Sequence, residues 1–160
     1  MITQAQAIAR YGNPLKSKTE SIKFQQKWMM LWKYPKEIKD FIPQLGESIY
    51  INKDLQPQYE FFLRTLIVRS LHTEITENDQ CFMPRYQRGS TTAISKHTWA
   101  IAVDLNPTHN PIYHTREQCI AKGLKPFSKE FIQCVRDCGL ISGADFGDRP
   151  DLMHIELANI

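Results

Sequence analysis

Two short alternating segments constrain the fold of this 160-residue chain more than any other feature. From Ala100 to Leu105, bulky residues alternate with two alanines and Asp104, so a strand here would carry small groups and one carboxylate on a single face. From Leu152 to Leu157 the same alternation places His154 and Glu156 on one face. Two strands that each present a potential ligand predict a polar site on one face of a sheet.

Helical patterns separate these strands from each other and from the N-terminus. Apolar residues recur at three- and four-residue intervals from Gln58 to His72, which predicts an amphipathic helix. Residues 128–138 predict a second helix that follows an N-cap serine and ends before Gly139. A short helix is expected over residues 2–10 before Gly12. The mixture predicts an α+β fold with helices flanking a small, largely antiparallel sheet.

The length predicts a single domain with one apolar core. Within it we expect an N-terminal helical arm over residues 1–48, packed on a core of residues 49–160. The arm contains an aromatic-rich stretch from Phe24 to Phe41 that is interrupted by Pro35 and followed by Pro43. Such a stretch is typical of core packing or of a lid over a groove.

Composition excludes several classes of protein. The hydrophobic fraction of 42% and the charged fraction of 23% are those of an ordinary globular domain. The net charge of +3 is small and the basic residues are scattered along the chain, so no nucleic-acid partner is expected. No signal peptide and no membrane-spanning run is recognisable, which predicts synthesis in the cytoplasm and no stable membrane association. We expect a monomer.

The cysteines lack the spacing of a zinc finger or of a disulfide framework. Free buried thiols are therefore the expected state of the four cysteines, which are Cys81, Cys119, Cys134 and Cys138. A metal site at Cys134 and Cys138, one helical turn apart, is an alternative that lacks a neighbouring third ligand.

Residues 85–106 and 151–154 carry the candidate chemistry. Zinc hydrolases hold the ion with three His, Asp or Glu side chains, and His97, Asp104 and His154 would make such a set. Asp151, three residues before His154, is the leading candidate for a general base. Arg85 or Arg88 would polarise the scissile carbonyl group or hold a substrate carboxylate.

Each of these residues also has a structural interpretation. A histidine on a strand is more often a packed or surface residue than a ligand, and Asp104 could begin an Asx-type turn. Asp151 and Arg88 could be ordinary loop and turn residues. The spacing by itself therefore leaves both interpretations open.

A resemblance to a known family favours the metal site. The segment from Ser95 to Asp104 resembles the pattern S-x-H-x-x-G-x-A-x-D, and the segment from Asp151 to His154 resembles a later acidic-x-x-H. Together these are marks of the zinc D-Ala-D-Ala carboxypeptidases, which include VanY-type enzymes and phage L-alanyl-D-glutamate endopeptidases. The resemblance extends from about residue 49 to the C-terminus and is strongest to the phage and prophage branch.

The resemblance implies a Zn²⁺ cofactor held by His97, Asp104 and His154, with Asp151 as catalytic base and an upstream arginine as carbonyl or carboxylate binder. Arg88 is slightly favoured over Arg85 because its turn lies closer to Ser95. We also expect the substrate to contact the side chains of Ser95 and Trp99.

Two positions depart from the family pattern. Ala100 replaces the glycine, which narrows the backbone options of the loop. Asp151 stands where many relatives have glutamate, so the base has one methylene less reach. Glu156 is the fallback base or a hydrogen-bonding partner of a ligand histidine.

The implied activity is zinc-dependent hydrolysis of peptidoglycan stem peptides, as a carboxypeptidase or an endopeptidase, by a lysin-like protein of phage or prophage type. Such a protein would reach the cell wall by a route other than its own signal peptide. One alternative is a catalytically idle zinc-containing module that binds the cell wall. Another is a thiol hydrolase in which Cys81 acts with His72 or His114.

Overall fold

Local capping signals define the first helix, α1 (Gln4–Tyr11), in the computed structural model, which describes residues 1–160. The backbone N–H of Gln6 donates to the Thr3 hydroxyl at 3.2 Å, and the backbone N–H of Thr3 donates to the Gln6 side chain at 2.8 Å. Gly12, with φ of 79°, follows the last turn. This reciprocal capping satisfies free N–H groups at the start of the helix, and the predicted N-terminal helix is confirmed.

The other regular elements follow in chain order: α2 (Lys18–Trp28), β1 (Met29–Lys33), α3 (Lys36–Phe41), β2 (Ser48–Asn52), α4 (Gln56–Val68), β3 (Ala102–Asp104), α5 (Arg116–Ala121), α6 (Lys129–Asp137), β4 (Leu140–Ser142) and β5 (His154–Leu157). Short 3₁₀ helices lie at Pro43–Leu45, His72–Glu74, Lys96–Trp99 and Gly143–Asp145.

The two strongest helical patterns give α4 and α6. The buried face of α4 carries Tyr59, Phe62, Leu63 and Leu66. This helix ends earlier than predicted, because Ser70 adopts a positive φ of 58° and turns the chain away.

Helix α6 has the predicted boundary signals at both ends. The hydroxyl of Ser128 accepts the N–H of Phe131 at 3.0 Å, as an N-cap does. Gly139, with φ of 72°, follows the last turn and allows the left-handed backbone that ends many helices.

The strands form two small antiparallel sheets. Strands β1 and β2 pair as a two-stranded sheet, and β3, β5 and β4 form a three-stranded sheet with β5 in the centre. Together with the six α-helices this arrangement confirms the α+β fold class, although the predicted single sheet is divided in two.

One cluster of 36 buried residues runs through the molecule and includes Phe24 and Trp32 from the N-terminal region with Val103 and Ile155 from the three-stranded sheet. A shared core of this kind makes the chain one domain. The predicted helical arm contains β1, which pairs with β2; the division at residue 48 stays a prediction. None of the helices has the length and apolar character needed to cross a bilayer.

Candidate metal centre and cleft

The pairing of β3 with β5 sets the first two residues of the site. Asp104 lies directly opposite His154 in the antiparallel register, so both side chains project from the same face of the sheet. The Oδ1 atom of Asp104 and the Nδ1 atom of His154 are 3.2 Å apart. Both residues are buried, with 5% and 7% of their surface exposed.

A tight turn brings His97 to the same point. His97 lies in the 3₁₀ helix Lys96–Trp99, and Ala100 follows it with φ of 49° and ψ of 35°. This left-handed residue turns the chain directly into β3. The Nε2 atom of His97 is 3.1 Å from Asp104 Oδ1 and 3.2 Å from His154 Nδ1.

The opposite nitrogen of each histidine has its own acceptor. His97 Nδ1 lies 2.8 Å from the carbonyl oxygen of Cys81, and His154 Nε2 lies 3.1 Å from Oε2 of Glu156. A carbonyl group and a carboxylate can only accept, so each of these outer nitrogens carries a proton. The inner nitrogens, His97 Nε2 and His154 Nδ1, face Asp104 and are the atoms available to a metal, as in metal sites with outer hydrogen-bonding partners.

The three convergent atoms favour a positive charge between them. Burial alone would raise the pKa of Asp104, but hydrogen bonds with His154 and His97 hold it below its ordinary value. Burial would also lower the pKa of His154, whereas its hydrogen bonds to Asp104 and Glu156 raise it to about 9. Two imidazole nitrogens and one carboxylate oxygen, buried and within 4.8 Å of one another, fit the ligand set of Zn²⁺.

Asp151 is held beside these residues by a backbone turn. Its N–H donates to the carbonyl oxygen of Gly143 at 2.9 Å, and its own carbonyl oxygen accepts the N–H of His154 at 3.0 Å. The carboxylate atom Oδ1 is buried without a hydrogen-bond partner. Burial, the largest influence, raises the pKa of this carboxyl group.

Gly143 makes the turn possible and was not identified by the sequence analysis as a site residue. A Cβ atom on Gly143 would lie 3.0 Å from the Cβ of His154 and far inside contact distance of the Asp151 carbonyl oxygen. Only a residue without a side chain permits this approach. The sequence signal was a glycine shortly before the acidic-x-x-H segment, which by itself does not reveal what the backbone meets.

A cleft of about 420 Å³ opens over the site. Four of the predicted residues line it together with His97 and His154: Arg85, Arg88, Ser95 and Asp151. The charge of Arg85 is among those that lower the pKa of Asp151, which places this arginine electrostatically close to the candidate base. Glu156 also lines the cleft, and its Oε1 atom has no partner.

The cleft also contains residues to which the sequence analysis gave no role. These are Met1, Gln87, Lys96, Ile112, Tyr113, Phe146 and Arg149. They come from separate segments of the chain, and no local pattern connects them.

Comparison with known families agrees with this geometry. Residues 88–157 match the family model described as D-alanyl-D-alanine carboxypeptidase. The match covers less than half of the chain, and over this segment the chain is similar to the D-alanyl-D-alanine carboxypeptidase family. No curated protein and no solved structure gave a significant match.

The matched segment contains the whole candidate metal centre and Asp151, and it excludes Arg85. Carboxypeptidases of this family are generally zinc-dependent, and the buried group of His97, Asp104 and His154 could bind the metal. The family match therefore agrees with the chemistry of the candidate ligands, and it indicates a hydrolase.

Trp99 lies outside the cleft, contrary to the expectation that it contacts substrate. Its side chain is fully buried, and its indole N–H donates to the carbonyl oxygen of Gly12 at 2.9 Å. The carbonyl oxygen of Trp99 accepts the side-chain N–H of Asn52 at 2.9 Å. Trp99 thus fastens the ligand-bearing turn to the N-terminal region, because Gly12 directly follows the end of α1.

The geometry also argues against a thiol nucleophile. The buried Cys81 thiol donates to the Ala100 carbonyl oxygen at 3.4 Å, and burial raises its pKa well above the ordinary value. A reactive thiol needs a lowered pKa. The rings of His72 and His114 make their contacts elsewhere, with Phe41 and Lys122 respectively. All four cysteines are free and buried, as predicted.

Proposed function

We propose that this protein is a zinc-dependent peptidase that hydrolyses peptide bonds in the stem peptides of peptidoglycan. One observation carries the proposal: His97, Asp104 and His154 converge beneath a cleft that also holds Asp151, within the segment that matches the carboxypeptidase family. The resemblance to phage and prophage enzymes supports a lysin-like role.

His97, Asp104 and His154 would hold the zinc ion through Nε2, Oδ1 and Nδ1. Bound zinc supplies a Lewis acid that polarises a carbonyl group and makes water more acidic. The outer contacts of the histidines, with the Cys81 carbonyl group and with Glu156, keep both rings in the tautomer that ligation needs.

Asp151 would accept a proton from the attacking water and pass it to the leaving amine. Its Oδ1 atom has no partner in the protein and is therefore free to bind that water. Burial raises its pKa toward the working pH, which improves a carboxyl group both as a base and as an acid. The backbone turn through Gly143 fixes the distance that the shorter aspartate side chain must cover.

An arginine of the cleft would stabilise the charge that develops on the carbonyl oxygen. Arg85 and Arg88 both line the cleft and neither has a side-chain partner in the protein, so both are candidates for this role. The variants Arg85→Gln and Arg88→Gln test the choice, since the acting arginine should lower kcat more than the other.

The first experiment is digestion of purified peptidoglycan followed by mass spectrometry of the released fragments. The zinc-loaded protein should release products and the chelator-treated protein should not. Loss of a terminal D-alanine would identify a carboxypeptidase, and cleavage between L-alanine and D-glutamate would identify an endopeptidase. Zinc-dependent binding to the wall without any cleavage would support an idle binding module instead.

The variant Asp151→Asn tests the base directly. We expect kcat to fall by roughly 10²- to 10⁴-fold while zinc is still bound. Asp148→Asn is the matched control, because Asp148 is an exposed aspartate of the same loop that does not line the cleft. An Asp151→Asn variant with the wild-type kcat would contradict the role assigned to Asp151.

A further inference from the structure

The arginines divide into two groups by their partners. The side chains of Arg10, Arg64, Arg69 and Arg136 form salt bridges, and that of Arg116 donates to the carbonyl oxygen of Phe127. The remaining three, Arg85, Arg88 and Arg149, have no side-chain hydrogen bond or carboxylate partner, and all three line the cleft. Every guanidinium group without a partner in the protein thus lies where a substrate would bind.

Arg149 reaches the cleft from a different segment than the other two. Its N–H donates to the carbonyl oxygen of Phe146 at 3.1 Å, and the carbonyl oxygen of the next residue, Pro150, accepts the N–H of Tyr113 at 2.7 Å. Tyr113 has a φ of 65°, a conformation that an aromatic residue keeps only when its surroundings impose it. The loop that carries Arg149 is therefore fixed from both sides, two residues before Asp151.

The cleft as a whole has an excess of positive charge. Four basic side chains line it, Lys96 and the three arginines, against the carboxylates of Asp151 and Glu156. Glu156 is already engaged by His154. A planar guanidinium group without a partner binds a carboxylate through two parallel hydrogen bonds. The cleft accordingly suits a peptide that brings more than one carboxylate.

We propose that Arg149 is a specificity-determining residue that binds a second carboxylate of the substrate, separate from the group bound by Arg85 or Arg88. The inference rests on the proposed function and narrows its substrate class to stem peptides with two free carboxylates. Two positions can supply the second group: the α-carboxylate of a γ-linked D-glutamate, or the C-terminal carboxylate.

Three synthetic stem pentapeptides distinguish these sources: the free acid, the peptide amidated at the glutamate α-carboxylate, and the peptide amidated at the C-terminus. We expect one amidation to lower kcat/KM of the wild-type protein by roughly 10- to 100-fold, the range for a hydrogen bond to a charged group. With the free-acid peptide, the kcat/KM of Arg149→Gln should be lower than that of the wild-type protein by the same factor. That amidation should then cause no further decrease in the kcat/KM of the variant. Arg69→Gln, which removes one arginine outside the cleft, should keep the wild-type preference.

Equal sensitivity of Arg149→Gln and the wild-type protein to both amidations would overturn the assignment. Binding of the same fluorescently labelled peptides, measured by anisotropy in the presence of a chelator, separates this result from failure of the proposed function. Binding that depends on a carboxylate and on Arg149, without cleavage under any condition, would refute the peptidase and keep the subsite. Cleavage without any preference among the three peptides would refute the subsite and keep the peptidase.

Discussion

Gly143 shows how a single residue without chemical function can control the site. Its Cα lies so close to the Asp151 carbonyl group and to His154 that a methyl group has no room. We expect Gly143→Ala to lower the free energy of unfolding by about 1–3 kcal/mol, as overpacking does. Zinc affinity, measured by competition with a chromophoric chelator, should fall as well, because the turn that carries Asp151 and His154 must shift.

Gly147→Ala is the matched control in the same loop. Gly147 has a positive φ of 55° but open space around a would-be Cβ atom. Its substitution should lower the free energy of unfolding by about 1 kcal/mol through backbone strain and should leave zinc affinity unchanged. If the two variants bound zinc equally well, the close approach at Gly143 would be irrelevant to the metal centre.

The candidate ligands were predictable at this scale because their residue types suit zinc and their spacing resembles a family pattern, whereas the spacing by itself left other interpretations open. His97, Asp104 and His154 converge as predicted, and Asp151 lies beside them. Trp99 was misassigned, because proximity in sequence to a ligand does not indicate whether a side chain faces the cleft or the core.

At the scale of elements, a half-buried carboxyl group joins three parts of the fold. The hydroxyl of Tyr59 on α4 donates to Oδ2 of Asp79 at 2.7 Å, and the hydroxyl of Tyr34 donates to the same atom. The next residue, Gln80, pairs with Asp104 through two backbone hydrogen bonds of 3.0 and 2.8 Å. The Asp79 contacts therefore anchor the segment that runs beside β3.

This anchor predicts a pH-dependent loss of stability in Tyr59→Phe. Burial raises the pKa of Asp79, and the two tyrosine hydrogen bonds oppose that rise. Because the folded-state pKa of Asp79 lies above its unfolded-state pKa, the contribution of this group to stability is fully present below the unfolded-state pKa. It is lost as the pH rises through the folded-state pKa. Removing the Tyr59 hydroxyl raises the folded-state pKa of Asp79 further. Tyr59→Phe should therefore lower the free energy of unfolding by about 1–3 kcal/mol at pH 7 and by less at pH 4.

Urea unfolding of the metal-free protein at the two pH values measures this difference. Tyr50→Phe is the control, since its hydroxyl makes only a 3.5 Å contact with Gln25 and should change stability little at either pH. Equal losses at both pH values in Tyr59→Phe would mean that the charge of Asp79 is not what the phenol stabilises.

The elements themselves were predictable to different degrees. Helices α4 and α6 both have apolar periodicity, so local sequence predicts their existence. Only α6 has clear signals at both ends, whereas the end of α4 is set by the positive φ of Ser70. Strand β1 follows α2 at Met29 without a glycine or proline between them. Only its pairing with β2, about twenty residues later, makes this segment a strand, and such non-local pairing leaves no local signal.

At the scale of the whole molecule, the cleft depends on tertiary assembly. Arg85, Tyr113 and Arg149 belong to three separate segments that the sheet and its surrounding loops bring together. The sequence could identify the metal ligands through a family pattern. It could not identify Arg149 or Tyr113 as cleft residues, because neither has a distinctive local spacing.

The same assembly links zinc binding to the stability of the entire domain. The three ligands come from the turn before β3, from β3 and from β5, so they converge only in the folded chain. A ligand that binds only the folded state raises the free energy of unfolding by about 2.7 kcal/mol at one hundred times its Kd. We expect that increase for the wild-type protein in calorimetric or urea unfolding, with its loss after treatment with a chelator.

The variant His154→Ala should not be stabilised by zinc at the same concentration. The control His114→Ala should respond as the wild-type protein does, because His114 contacts Ile112 and Lys122 rather than the ligand cluster. Equal stabilisation of His154→Ala and the wild-type protein would place the bound zinc elsewhere in the molecule. Stabilisation that requires His154 and not His114 would instead mean that the metal holds the two strands and the turn together, so that binding and folding are one equilibrium.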